Sequence, residues 1–118
     1  MESQRAIKRK GGTMRLGAYD CKIETGTKTF SAYRKKNISE RHRHRWEVNN
    51  RYRDRLEKNG LKISGINEEL NLVEIIELPD HPWYVAGQFH PELKSRVSKA
   101  HPLFREFIKA SVKHLNEK

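Results

Sequence analysis

A single cysteine, Cys21, stands in 118 residues, which excludes an intramolecular disulfide and any zinc site built on several thiolates. Apolar runs are short: none approaches the roughly 20 residues that a membrane-spanning helix needs. The opening stretch MESQRAIKRKGG is charged and lacks an apolar centre, so it does not read as a secretory signal. A reducing, cytoplasmic setting away from membranes is the expectation. No Gly-rich phosphate loop occurs, so ATP and UTP have no recognisable motif here. Apolar residues make up 35% and charged residues 34% of a chain one domain long, and such a composition predicts a thin core.

What the chain does have is positive charge. Its formal net charge is +10, from 25 Lys and Arg against 15 Asp and Glu. That balance attracts phosphates, nucleic acid or acidic partner surfaces. A solvated face whose acidic complement lies on another part of a larger protein explains it equally well. Arg41, Arg43, Arg45, Arg51, Arg53 and Arg55 are interleaved with Trp46 and Tyr52, rings able to stack on bases. A basic nucleic-acid-binding module is therefore the alternative reading, although no recognised binding fold accompanies it. His42 and His44 have the alternation of a metal-binding pair on a strand, but no third ligand is suitably spaced and the arginines around them repel cations. No metal is expected.

Hydropathy patterning yields a series of short elements. Thr13 to Ile23 alternates as a strand, with Met14, Leu16 and Ala18 on one face. Lys28 to Lys36 fits a short helix with Phe30 and Tyr33 inward. Ser39 to Val48 suits a partly buried strand or extended loop ending in Trp46 and Val48. Asn50 is placed to cap a helix over Arg51 to Asn59, closed by Gly60. Leu61 to Ile66 and Leu72 to Leu78 read as an antiparallel hairpin. Pro79 and Pro82 bracket a loop, and the apolar run Trp83 to Phe89 is the best candidate for a buried strand. After Pro102, the residues Leu103, Phe104, Phe107, Ile108, Val112 and Leu115 form one helical stripe.

The chemistry concentrates at Gln88-Phe89-His90-Pro91-Glu92. A histidine at the mouth of a strand serves as a general base when a second group fixes its tautomer. Glu92, two residues on and beyond a proline that restricts the backbone, is placed to accept the imidazole N–H. The pair would form two members of a Cys–His–Glu relay. Alone, His-Pro-Glu is a common loop tripeptide and carries little weight.

Four blocks in order give it context: Gly11-Gly12-Thr13-Met14-Arg15-Leu16-Gly17; Glu40-Arg41-His42-Arg43-His44-Arg45-Trp46-Glu47-Val48-Asn49-Asn50; Val73-Glu74-Ile75-Ile76-Glu77-Leu78; and His81-Pro82-Trp83 running to Glu92. Followed by His101-Pro102-Leu103-Phe104, they cover nearly the whole chain. Together they resemble the C-terminal part of the class I (triad) glutaminase domain of the CTP synthase family. The resemblance implies an α/β fold, part of a mixed central sheet with flanking helices, over residues 13–118 behind a polar lead-in of residues 1–12. It implies that His90 is the catalytic base, Glu92 its orienting acid, and Arg45 a ligand for the glutamine substrate. The forked guanidinium of Arg45 suits a carboxylate; without the resemblance it reads as one more charge in a basic stretch.

Trp46 and Leu93 stand where the family usually has Tyr and Phe, and both keep bulk. The larger departure is that the family's nucleophile, on a Gly-x-Cys-x-Gly elbow upstream of the first block, has no counterpart in residues 1–12. Cys21 lies in a strand-like context without the tight glycines of an elbow and reads as structural. The expectation is thus the His/Glu part of a glutamine-hydrolysing CTP synthase (UTP, ATP and glutamine to CTP), inactive as an isolated chain. No cofactor is expected in the chain itself; ATP and Mg are implied for the amidoligase domain that the family places before the glutaminase domain. Implied partners are the N-terminal portion of the same enzyme and a homo-tetramer, while nucleic acid is not among them. The uncovered sheet edge of a partial domain also predicts self-association.

Overall fold

Residues 15–44 and 46–117 are described by a computed structural model. The lead-in 1–12, Thr13 and Met14 of the expected first strand, and Arg45 lie outside the described residues. Strand β1 (Arg15–Ile23) is followed by helix α1 (Lys28–Tyr33) and strand β2 (Asn37–His44). A 3-10 turn (Asn50–Tyr52) leads into helix α2 (Arg53–Lys58). The hairpin strands β3 (Lys62–Asn67) and β4 (Leu72–Glu77) come next, then β5 (Val85–Gly87), a 3-10 turn (Pro91–Leu93) and helix α3 (Pro102–Asn116).

The strands form one sheet in the order β2-β1-β3-β4-β5. The expected α/β class is what is seen, and every strand pair among the described residues is antiparallel. β1 and β2 pair along their lengths, from Arg15 opposite His44 to Lys22 opposite Asn37. β1 meets β3 only at Lys22–Ile66 and Ile23–Gly65, so the sheet is pinched at its centre. Gly65 is required at that pinch. A Cβ there would stand 2.8 Å from the Cys21 sulfur and 2.9 Å from Ile75 Cδ1, closer than packed atoms tolerate.

Period-two alternation sends Ile38, Glu40 and His42 of β2 and Cys21 and Ile23 of β1 to the same inner face. There they meet α1 and the first turn of α3, and Cys21, Ile23, Ala32, Ile38, Ile75, Phe89 and Leu103 make the apolar core. Phe30 and Tyr33 only flank it, whereas Thr29 and Ala32 are the deeply buried residues of α1. Leu16 and Ala18 lie on the outer face, with Leu16 59% exposed: the pairing with β2 fixes which residue parity points inward, and it selects the odd positions.

The core is unusually rich in carboxylates, each with assigned work. Glu77 of β4 caps α1, accepting from the backbone N–H of Lys28 at 3.0 Å and of Thr29 at 3.1 Å, and from the Thr29 hydroxyl at 2.8 Å. A negative group at a helix N-terminus satisfies donors that the helix itself leaves open. Glu40 of β2 accepts from both the Tyr33 hydroxyl and His101 Nε2. His101 Nδ1 in turn accepts the Leu103 N–H at 3.1 Å, capping α3. Since Nδ1 is an acceptor there, the proton sits on Nε2, facing Glu40.

Three expectations need correction. The run Trp83 to Phe89 contributes a strand of only three residues, at the sheet edge and half-buried or exposed; Phe89 alone of the run is deeply buried. Apolar character there reflects Phe89 plugging the core rather than a central strand. The helix over Arg51 to Asn59 is broken into a 3-10 turn, capped by Asn49 instead of Asn50, and a six-residue helix, with Tyr52 half exposed. Trp46 is 66% exposed and does not anchor the end of β2. The Gly60 turn, with φ of 99°, the β3–β4 hairpin and α3 behind Pro102 are as the sequence predicts. No helix among the described residues is long and apolar enough to cross a membrane.

Candidate active site

Beyond β5 the chain reaches β2, the strand at the other end of the sheet order, and turns outward at His90. Phe89 is driven into the core, its ring 5.9 Å from that of His42 and 6.3 Å from that of His101. Burying the residue just before His90 fixes where the histidine emerges. The His90 N–H donates to the Arg41 carbonyl at 2.8 Å, fastening this strand end to β2. Pro91 then opens a 3-10 turn, closed by the Leu93 N–H on the His90 carbonyl at 3.1 Å. Pro91 has no N–H to lose, and its fixed φ suits a first helical position.

That turn carries Glu92 back onto the imidazole: His90 Nδ1 lies 2.6 Å from Glu92 Oε1. A carboxylate accepts, so Nδ1 bears the proton and Nε2 keeps its lone pair for incoming protons. Nε2 also sits 3.3 Å from the Arg43 carbonyl, a long contact by hydrogen-bond standards. The His90 side chain is 39% exposed, accessible yet fixed through its backbone N–H and through Nδ1. The Glu92 carboxyl is held below its ordinary range, first by its own backbone N–H and then by the bond from His90. It therefore remains an anion, able to orient the ring and to stabilise an imidazolium.

Beneath this pair lies a layer that sequence reasoning missed. His42 and Glu74 are fully buried, with Nε2 and Oε2 3.0 Å apart but out of line for a hydrogen bond. Tyr19, His44 and Phe89 stack edge-on around the His42 ring at centroid separations of 5.4, 5.0 and 5.9 Å. His44 bonds Glu47 at 2.7 Å. Among the described residues no His, Cys, Asp and Glu group is arranged to hold a metal ion, and His42 and His44 are occupied with carboxylates instead. The only local signal for this layer was the alternation Glu40-His42-His44, which marks one face of β2 without revealing partners.

Of the predicted site residues, His90 and Glu92 are brought together. Arg45 lies outside the described residues, directly after the end of β2. Cys21 is 1% exposed inside the core, where a thiol has no access to a substrate. In the arginine-rich stretch the Arg55 guanidinium lies over one face of the Tyr52 ring, 5.6 Å from its centroid.

The model of the family described as glutamine amidotransferase class-I matches residues 2–110. The chain belongs to that family. It is 58% identical over its whole length to a CTP synthase of Trichlorobacter lovleyi, and 61% identical over 111 residues to one of Methanosphaera stadtmanae, covering 22% and 21% of those proteins. It thus spans about a fifth of the length of the curated relatives it matches. Among solved structures, the glutaminase domain of Trypanosoma brucei CTPS with bound acivicin superimposes with a TM-score of 0.81 at 36% identity, over 86% of this chain and 40% of that one. The α/β arrangement described above is therefore a portion of the glutaminase fold of this amidotransferase family.

Proposed function

We propose that the chain supplies the base-bearing part of the glutaminase site of a CTP-forming synthase, and that it needs a cysteine carried on another segment to turn over. The observation that carries this reading is the 2.6 Å His90–Glu92 pair with an accessible ring. In the assembled site, His90 Nε2 removes the thiol proton and the thiolate attacks the side-chain amide carbon of glutamine. The C–N bond breaks as His90 returns that proton to the departing ammonia, leaving a thioester. Water then attacks the thioester, giving its proton to His90, and glutamate leaves as the thiol is restored. Glu92 holds the ring and balances the imidazolium in both halves. Arg45 would pair with the substrate carboxylate.

Similarity to CTP synthases supports ammonia delivery to an amidoligase domain, with ATP and Mg acting there, in a cytoplasmic homo-oligomer. Cys21 has no part in the chemistry, being sealed in the core.

The test is a chimera in which the 118 residues replace the matching segment of the Trichlorobacter lovleyi CTP synthase. The chimera should release ammonia from glutamine; His90→Ala should abolish this and Cys21→Ala should not. The isolated chain should show no hydrolysis. Turnover by the isolated chain, or full activity of the His90→Ala chimera, would overturn the assignment.

A further inference from the structure

On the side of the sheet where α1 and α3 converge, a groove of about 1360 Å³ opens to solvent. Its walls are the C-terminal end of α1, the start of β2, the loop after Leu93 and the first two turns of α3. Arg34, Lys35, Lys94, Arg96, Lys99 and Lys109 all line it. Three carboxylates share the lining. Glu40 is buried and engaged by Tyr33 and His101, and Glu106 is engaged by Arg105 at 3.0 Å. Asp20 alone remains to face six cations.

Two features indicate a built site rather than a charged surface. Lys94 Nζ donates to the Ser39 carbonyl at 2.5 Å, so this cation is held in place by a neutral acceptor that leaves its charge uncancelled; Arg105, which donates to the Ala32 carbonyl at 2.9 Å, is already balanced by Glu106. Arg34 caps α1 with a φ of 60°, the left-handed region where glycine is the usual choice. The residue that takes this conformation lines the groove. Arg34, Lys35, Lys99 and Lys109 form no ion pair among the described residues.

We propose that this groove binds a chain of condensed phosphates. An array of separated cations matches an extended anion with charge along its length better than a single compact one. The groove exceeds the ~300–1,000 Å³ of ordinary small-molecule pockets, large enough for a triphosphate with room beyond it. Inorganic polyphosphate and the triphosphate of a nucleotide share this chemistry. A nucleic-acid strand is the less favoured ligand, because the exposed rings of Trp46 and Tyr52 are not part of the groove lining. The inference uses none of the site around His90 and stands independently of the glutaminase reading.

The experiment is calorimetric titration of the 118-residue chain with tripolyphosphate, orthophosphate, the four common ribonucleoside triphosphates and a short oligo-dT series. Tripolyphosphate should bind one-to-one, at least tenfold more tightly than orthophosphate. The Lys99→Glu/Lys109→Glu variant should lose tenfold or more, while Arg55→Glu, outside the groove lining, should change affinity less than twofold. Triphosphates matching tripolyphosphate identify the phosphate chain alone as the ligand. One triphosphate binding tenfold above the rest makes a nucleotide the natural source. Amide chemical shifts of the unmodified chain provide a reading that needs no variant: they should move at residues 32–39 and 94–109. Equal binding of orthophosphate and tripolyphosphate, equal losses in the groove and Arg55 variants, oligo-dT affinity that exceeds tripolyphosphate and grows with length, or shifts confined to residues 51–58 would each overturn the proposal.

Discussion

Replacing Glu40 tests the polar interior most directly, because one carboxylate there holds three elements. It belongs to β2, accepts from Tyr33 at the end of α1, and accepts from His101, the cap of α3. In Glu40→Ala both donors remain in place and buried, and the 3.3 Å contact between the Tyr33 hydroxyl and His101 Nε2 is what is left to them. Each donor left unsatisfied costs about 1–3 kcal/mol, so the loss rises to about 6 kcal/mol where both are. That is a large share of the ~5–15 kcal/mol by which folded domains usually exceed their unfolded chains. Both donors reach the same oxygen, Oε2, so Glu40→Gln with its amide oxygen there keeps both acceptor contacts, loses only the charge, and should cost less than Glu40→Ala. Tyr33→Phe alone gives up one hydrogen bond to a charged group, about 1.5–3 kcal/mol. Added to Glu40→Ala it should cost little, since the orphan it removes is one that Glu40→Ala created. The assay is urea unfolding followed by circular dichroism, with the four variants closed into a double-mutant cycle. A coupling energy of about 0.5–3 kcal/mol is expected for groups in direct contact. If Glu40→Ala lies within about 0.5 kcal/mol of the parent, the range of ordinary surface substitutions, the three-element junction has been misread.

Burial, and after it the Glu40 carboxylate, push the Tyr33 phenol far above its usual 10.0. A raised folded pKa gives stability that is present below the unfolded value and is lost as pH climbs beyond it, so unfolding should steepen above about pH 10, and Tyr33→Phe should flatten that fall. Glu92 has the opposite sign: its folded pKa lies below 4.5, so its contribution is complete above that pH and fades only on acidification through the folded value. In the chimera, Glu92→Gln should lower glutamine hydrolysis about a hundredfold or more, with no Glu92 limb in the parent's pH–rate profile between about pH 5 and 8. Gly65→Ala forces a methyl against Cys21 and Ile75 and should destabilise by about 1–3 kcal/mol, read as a lower urea midpoint. Phe107, Ile108, Val112 and Leu115 lie exposed along α3; the chain should self-associate in size-exclusion chromatography, and Phe107→Glu/Val112→Glu should shift it toward monomer without loss of helix.

Elements whose signal is local were legible in the sequence. The β3–β4 hairpin follows from two apolar segments with a polar break, and α3 from Pro102 and a helical stripe. The His90–Glu92 pairing was legible for the same reason, since a proline between two residues leaves few places for the second side chain. Groups whose partners lie far along the chain were not. Glu40 meets His101, His42 meets Glu74 and Thr29 meets Glu77 across 61, 32 and 48 residues. Each reads as an exposed polar side chain until its partner is known. Leu16 and Ala18 mislead in the opposite sense, because apolar alternation gives a strand's period but not which face the sheet turns inward. The cationic groove is likewise assembled from two segments that share no motif.

His90 is fastened to β2 by the main-chain carbonyl of Arg41, not by its side chain. This separates two kinds of sequence change. Outward side chains on β2 can be exchanged freely as far as His90 is concerned, because any residue presents the same carbonyl. Insertion or deletion of a single residue cannot be absorbed, since it would exchange the two faces, bringing Arg41 and Arg43 inward and Glu40 and His42 out. Variation in a site of this construction should therefore run through substitution, with the length of β2 preserved even where its charges have drifted.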